Sequence, residues 1–165
     1  MKNYICGANK FAYGKGYIYL PIDLDSNLPD DLEIDGVRLL RKSSFHVSLV
    51  CVKNIGNNLE QKVIDSFCKF TSVNDISFVR FIGEFRFAEF EERKTLVVKC
   101  QISGIEKFIK QLSQELGMDI PNQPTHVTLY TLQPDAGIGL NSLNELDGKS
   151  KVVEGPIKLD ILSLT

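Results

Sequence analysis

One phrase occurs twice in this chain. Positions 45–50 read FHVSLV and positions 125–130 read THVTLY, and the two histidines of the sequence, His46 and His126, stand at matching places 80 residues apart. Side chains alternate faces along a strand, so His46 and Ser48 point one way while Phe45, Val47 and Leu49 point the other. By the same alternation His126, Thr128 and Tyr130 share a face opposite Val127 and Leu129. Each phrase therefore predicts a strand with an apolar side and a side carrying an imidazole and a hydroxyl roughly 6–7 Å apart. About one position in nine is Ser or Thr, so both histidines would be followed this way by chance in about one chain in eighty of this composition.

The surroundings of the two phrases also correspond. Tyr17 to Ile22 (YIYLPI) and Thr95 to Gln101 read as strands rich in β-branched and aromatic residues. After the first, the acidic segment DDLEIDG predicts a helical turn ended by Gly36; after the second, Ile105, Phe108, Ile109, Leu112 and Leu116 mark a helix stopped by Gly117. Strands Phe45 to Lys53 and Thr125 to Leu132 then carry the histidines. Beyond the first, Asn58 and Gln61 have the spacing of a capping box ahead of a helical face formed by Leu59, Val63, Ile64, Phe67 and Phe70. Strands are further expected at Ile76 to Ile82, at Phe85 to Phe90 with a charged EERK turn after it, and at Ile157 to Leu164. The reading is an internal duplication: one α+β domain over residues 1–165, built as two similar lobes about a pseudo-twofold axis. Two copies are too few for a solenoid, and no flexible linker separates them.

At 165 residues a single domain can bury roughly 70% of the surface its open chain exposes. The net charge of −2 lacks the basic excess that drives binding to long nucleic acid, so no association with long DNA is expected. A small phosphorylated ligand or an RNA end remains compatible. Cys6, Cys51, Cys68 and Cys100 form no CxxC pair, which predicts free thiols in a reducing compartment. No apolar run reaches the roughly 18 residues that cross a bilayer. A cytoplasmic monomer without a membrane partner is the resulting expectation.

Two imidazole and hydroxyl pairs facing one another have a definite use. Transfer at a phosphodiester needs a base for the attacking hydroxyl and an acid for the departing oxygen, and imidazole serves either role near neutral pH. The hydroxyls can bind the non-bridging oxygens and stabilise the charge that grows on them. A zinc site is the rival use of histidine, but there is no H-E-x-x-H pair, and alternation aims Cys51 away from His46. No metal and no other cofactor is expected.

Two copies of histidine, apolar residue, Ser or Thr, apolar residue, half a chain apart, resemble the two-histidine (2H) phosphoesterase superfamily. The resemblance rests on His46, Ser48, His126 and Thr128, with serine in the first motif where the family more often has threonine. It implies a bilobal fold, two mainly antiparallel sheets flanking a central cleft with helices outside. It also implies metal-free chemistry at 2′,5′-linked oligoadenylate first, or at a 2′,3′-cyclic nucleotide, an ADP-ribose cyclic phosphate or an RNA end, including RNA ligation. His46 and His126 would be the catalytic pair, and Ser48, Thr128 and Tyr130 would bind substrate, Tyr130 by stacking on a base or bonding the phosphate. Arg80 and Arg86 read as solvated edge residues, and Arg38, Arg41 and Lys42 as a local basic patch able to guide an RNA end. A module that binds nucleotide without turnover is the non-enzymatic alternative.

Overall fold

The computed structural model describes residues 3–24, 27–158, 162 and 164. Hairpins dominate the first third. Lys15 and Gly16, both with positive φ (53° and 84°), turn β2 (Phe11–Gly14) into β3 (Tyr17–Ile22), and the short β1 (Tyr4–Ile5) lies beside β2. A second tight turn overrides the helical reading of DDLEIDG: β4 (Asp31–Ile34) pairs with β5 (Val37–Arg41) through Asp35 and Gly36 at φ 51° and 78°. Asp-Gly is a strong signal for a two-residue hairpin turn, because both positions need left-handed backbone.

The first histidine phrase forms β6 (Phe45–Cys51), followed by the single helical turn α1 (Val52–Ile55), a 3₁₀ turn at Asn57–Leu59 and α2 (Glu60–Thr71). The expected capping box does not form: α2 starts at Glu60, and the Gln61 amide bonds Asp65 instead. Its apolar stripe is as the spacing requires, with Val63, Phe67 and Phe70 buried. Two strands expected between positions 76 and 90 are one strand, β7 (Ser77–Phe90), whose pairing shifts between Phe81 and Phe85. Then come β8 (Arg93–Ser103), α3 (Ile105–Leu116) closed by left-handed Gly117, and β9 (His126–Thr131) with the second phrase. The chain continues through α4 (Leu143–Lys149), capped by the Ser142 hydroxyl, into β10 (Ser150–Val153). Of the expected closing strand, Ile157 and Lys158 are not extended ladder, Leu164 makes an isolated bridge to Leu24, and residues 159–161 and 163 lie outside the described residues.

The strands corrects the bilobal, two-sheet expectation. They form one open sheet of ten strands in the order β1-β2-β3-β6-β9-β8-β7-β10, with β5 attached to β9 and β4 to β5. The reason is the pairing of β6 directly with β9, Val47 opposite Val127, which makes the two halves wings of a single sheet. The strand order still reads outward symmetrically from that seam, β3 and β2 on one side and β8 and β7 on the other. The helices break the symmetry. Between β3 and β6 the chain makes the β4–β5 hairpin, where the second half has α3, and α2 instead follows β6 and packs beside α3.

Both long helices cover the same face of the sheet. Phe67 and Phe70 of α2 meet Phe108 of α3 edge-on at 5.2 and 5.4 Å, and these rings share a cluster with Val47, Leu49, Val127 and Leu129, all fully buried. Burial of each such side chain contributes about 1.5–3 kcal/mol, so the apolar half of each phrase has a strong structural reason of its own. A smaller cluster, Ala88, Val97, Ile138, Leu140 and Leu146, forms on the opposite face.

The expectation of four free thiols is also corrected. Cys6 and Cys68 form a disulfide that ties the β1–β2 edge to α2 across 62 positions, while Cys51 and Cys100 are free and buried. Spacing alone hid this pair, because neither cysteine belongs to a local motif.

Candidate functional site

The register of β6 against β9 decides where the histidines go. With Val47 opposite Val127 in an antiparallel pair, one step along each strand places His46 opposite Thr128 and Ser48 opposite His126. Residues directly opposite share a face, so all four polar side chains of the two phrases lie on the side away from α2 and α3. The imidazoles occupy diagonal corners of this square, for which neighbouring strands give a spacing of about 7–8 Å. All four residues are partly exposed, whereas the intervening Val47 and Val127 are fully buried.

Tyr130 does not join them. Leu96 of β8 pairs with Tyr130 while Val97 pairs with Thr128, so β9 carries one extra residue at this point. Such a bulge reverses the alternation beyond it. Tyr130 consequently faces the core, fully buried, and its hydroxyl donates to the Pro29 carbonyl at 2.6 Å. The tyrosine beside the site is Tyr19, which lies opposite Ser48 and whose ring centre is 5.0 Å from that of His46.

Main-chain anchors fix the second histidine. The Thr125 hydroxyl donates to the Cys100 carbonyl at 2.7 Å, and the Cys100 amide donates to the Thr125 carbonyl at 3.0 Å. Gln123 accepts from the Cys51 amide at 3.0 Å and donates to the Ser48 carbonyl at 3.1 Å, joining the approach to β9 to the first motif. On the histidine face, Ile138 and Leu140 pack on Ala88 and Val97 of the β7–β8 wing, while Asn141 donates to the Tyr17 hydroxyl of β3 at 2.8 Å. Residues 138–141 thus bridge the two wings on the side that carries the histidines.

Charge on this face is unevenly balanced. Lys99 lies opposite His126, with its ammonium 3.5 Å from Glu84, and Arg86 is held between Glu84 at 2.8 Å and Asp147 at 3.4 Å. Arg86 is therefore a paired, largely covered residue and not a solvated edge position; Arg80, bonded to Gln101, is the exposed one. Arg38 and Arg41 are paired too, with Asp31 and Asp30. Lys42 and Lys15, by contrast, make no ion pair among the described residues.

These surroundings set the protonation of the pair. Burial pushes His46 down to about 4, helped by the positive charges of Lys42, His126 and Lys15. Burial also takes His126 down to about 4; the Pro124 carbonyl opposes the shift and Lys42 adds to it. No hydrogen bond of normal geometry reaches Nδ1 of His126, which is buried. Lys42 itself is lowered by burial, with Asp135 opposing and Lys15 adding. Sequence reading named Lys42 only as a member of a basic patch with Arg38 and Arg41; its place beside the histidines had no pattern to reveal it.

Two cavities of about 190 and 460 Å³ lie elsewhere, one behind β8 against α3 and the other under the β7–β10 edge, and neither is lined by a histidine. Among the described residues no group of three or more His, Cys, Asp or Glu side chains gathers at one point, and no helix is long and apolar enough to cross a membrane. Compared with family models, with curated proteins and with solved structures, the chain matches none.

Proposed function

We propose that the protein is a phosphodiesterase of the two-histidine kind, acting on a nucleotide or RNA-end phosphodiester with 2′,5′-linked oligoadenylate as its first candidate substrate. The observation that carries this reading is the register of Val47 on Val127, which sets two imidazoles diagonally across a gap wide enough for one phosphoryl group with a hydroxyl at each remaining corner. A strand pair assembled only for packing needs the valines and leucines, not this polar square.

In the proposed reaction a neutral imidazole takes the proton of the attacking water, the new P–O bond forms, and the opposite imidazolium protonates the oxygen of the breaking P–O bond. Ser48 and Thr128 donate to the non-bridging oxygens as their charge grows. The surroundings favour His46 as base and His126 as acid. The Pro124 carbonyl supports a proton on His126, whereas His46 has Lys15 as an additional repelling charge. Nothing in this sequence of proton transfers uses a metal ion.

The experiment is turnover of 2′,5′-oligoadenylate and of 2′,3′-cyclic nucleotides in the presence of a chelator, with products separated by chromatography. His46→Ala and His126→Ala are expected to lower kcat by roughly 10²–10⁴-fold, the usual contribution of a positioned acid or base. If the wild-type chain binds these compounds but converts none, the protein is a nucleotide-binding module. Activity abolished by chelator and restored by zinc would overturn the metal-free chemistry.

A further inference from the structure

Lys42 stands where the regular ladder is interrupted. Arg41 pairs with Tyr130 and Val47 with Val127, so the stretch from Lys42 to His46 lies opposite only Thr128 and Leu129 and has to arch out of the sheet. The arch is held at its first foot. The Lys42 amide donates to the Leu129 carbonyl at 2.9 Å, and the Ser43 hydroxyl lies 3.1 and 3.2 Å from the two carboxylate oxygens of Asp135. Arg41 faces the core side, reaching the Leu28 carbonyl at 2.6 Å and Asp30 at 2.9 Å. The next residue, Lys42, therefore turns to the histidine face.

There it is half-buried and makes no ion pair among the described residues, in contrast to Lys99, Arg86, Arg38 and Arg41, each of which has a carboxylate. A partly covered ammonium group next to two neutral imidazoles produces a local potential that favours an anion, and low surrounding polarity strengthens the attraction. The charged groups facing the pair are few. Lys42 comes from the end of β5, Lys15 from the β2–β3 turn, and Lys99 from β8 with its charge offset by Glu84; Asp135, from the segment after β9, acts on Lys42. Lys42 is the one that acts on both histidines.

We propose that Lys42 is a phosphate-binding residue of this site, and that a bound phosphate, by offsetting the Lys42 charge, lets the imidazole pair take up a proton. The proposal rests on the phosphodiesterase reading only for the identity of the substrate. It adds a third group to the two motifs and makes anion binding the event that charges the acid. Binding a phosphate between about pH 4 and 5 should then draw about one proton from solution into the site. A substrate lacking an anionic phosphate would leave both imidazoles neutral and would not react.

The test uses inorganic phosphate and the intact chain. With only two histidines, each C2 proton can be followed by NMR and assigned with His46→Gln. In the wild type, phosphate should raise the titration midpoints of both histidines by at least one pH unit, and calorimetry in buffers of different ionisation enthalpy should show proton uptake on binding at about pH 4.5, midway between the free and bound midpoints. Lys42→Met and Lys42→Gln should weaken phosphate binding tenfold or more and raise both midpoints in the free protein, while Lys42→Arg retains affinity within about threefold. Phosphate binding that leaves the wild-type midpoints unmoved overturns the proposal, and that measurement needs no variant. So does a folded Lys42→Met chain with unchanged phosphate affinity. Lys42-dependent phosphate binding without turnover of any phosphodiester would uphold the proposal and sink the enzymatic reading, so the two fail separately.

Discussion

Gln123 donates from its side-chain amide to the main-chain carbonyl of Ser48 at 3.1 Å, joining the segment that leads into one histidine motif to the strand that carries the other. Its carbonyl oxygen accepts from the Cys51 amide at 3.0 Å, so one side chain satisfies two backbone groups. The ladder between β6 and β9 holds a single registered pair, Val47 with Val127, and Gln123 supplies the cross-links that further pairs would have made.

Gln123→Ala should therefore act on geometry more than on chemistry. Loss of two partly buried hydrogen bonds predicts a destabilisation of about 1–3 kcal/mol, measurable as a lower urea midpoint at unchanged m-value. Because the two imidazoles are fixed relative to each other through this link, kcat should fall at least tenfold with little change in KM. An intact kcat in a destabilised variant would show that Gln123 supports the fold alone.

The two histidines predict an acid-labile fold. Their folded values near 4 lie below the ordinary 6.5, so between those limits the unfolded chain binds protons that the folded chain refuses. Stability is complete above about pH 6.5 and is lost as pH falls toward 4, by up to about 3 kcal/mol per histidine. Glu84, held below its ordinary value by Arg86, and Glu115, held below it by Ser66, add a further loss only at the acid end of this window, where the unfolded carboxylates begin to protonate. Urea midpoints should drop steeply between pH 6.5 and 4.5 in the wild type and less in His46→Gln and His126→Gln. An identical slope in all three would refute the assignment.

The same values shape the kinetics. If the proposed reaction holds, the singly protonated pair of the free protein is most populated near pH 4–5, so kcat/KM should fall about tenfold per unit from pH 5.5 to 7.5. The kcat profile, which reports the complex, should remain bell-shaped with its maximum nearer neutrality, because bound phosphate favours the imidazolium. Superimposable profiles for the two parameters would mean that the substrate does not alter the protonation of the pair.

Tyr130 separates what alternation can predict from what it cannot. Counting by twos placed it with His126 and Thr128, yet the bulge opposite Leu96 and Val97 turns it to the core. Tyr130→Phe removes a hydroxyl that donates to Pro29 and should cost about 1 kcal/mol of stability while leaving kcat and KM within twofold. A tenfold loss of kcat would return this residue to the site.

What was legible in the sequence was local and periodic. Each polar pair, His46 with Ser48 and His126 with Thr128, follows from strand alternation, and the stripes of α2 and α3 follow from helical spacing. The hairpin at Asp35 and Gly36 was equally local, but the acidic run around it read as helix. Three features lay beyond any local pattern. The seam between Val47 and Val127, which makes one sheet where two were expected, is a pairing across 80 positions. The position of Lys42 depends on a mismatch in length between two strands, and the pairing of Cys6 with Cys68 depends on where α2 packs.

That disulfide yields the last prediction. It joins the β1–β2 edge to α2 at the partly buried Cys68, the residue after Phe67, whose ring meets that of Phe11 at 4.9 Å. Closing a loop of 62 residues in the unfolded chain corresponds to roughly 4 kcal/mol in the chain-entropy account, with about 2–4 typical of measurement. For a domain of this size, Cys68→Ser or added reductant should lower Tm by roughly 6–12 °C. The bridge lies on the helix-covered face, remote from the histidine square, so kcat at 25 °C should be unchanged while the fold persists. Buried Cys51 and Cys100 should stay unreactive toward a thiol reagent in the native protein, and reduction should expose two further thiols. Two reactive thiols in the untreated native protein, with no response of Tm to reductant, would contradict the bridge.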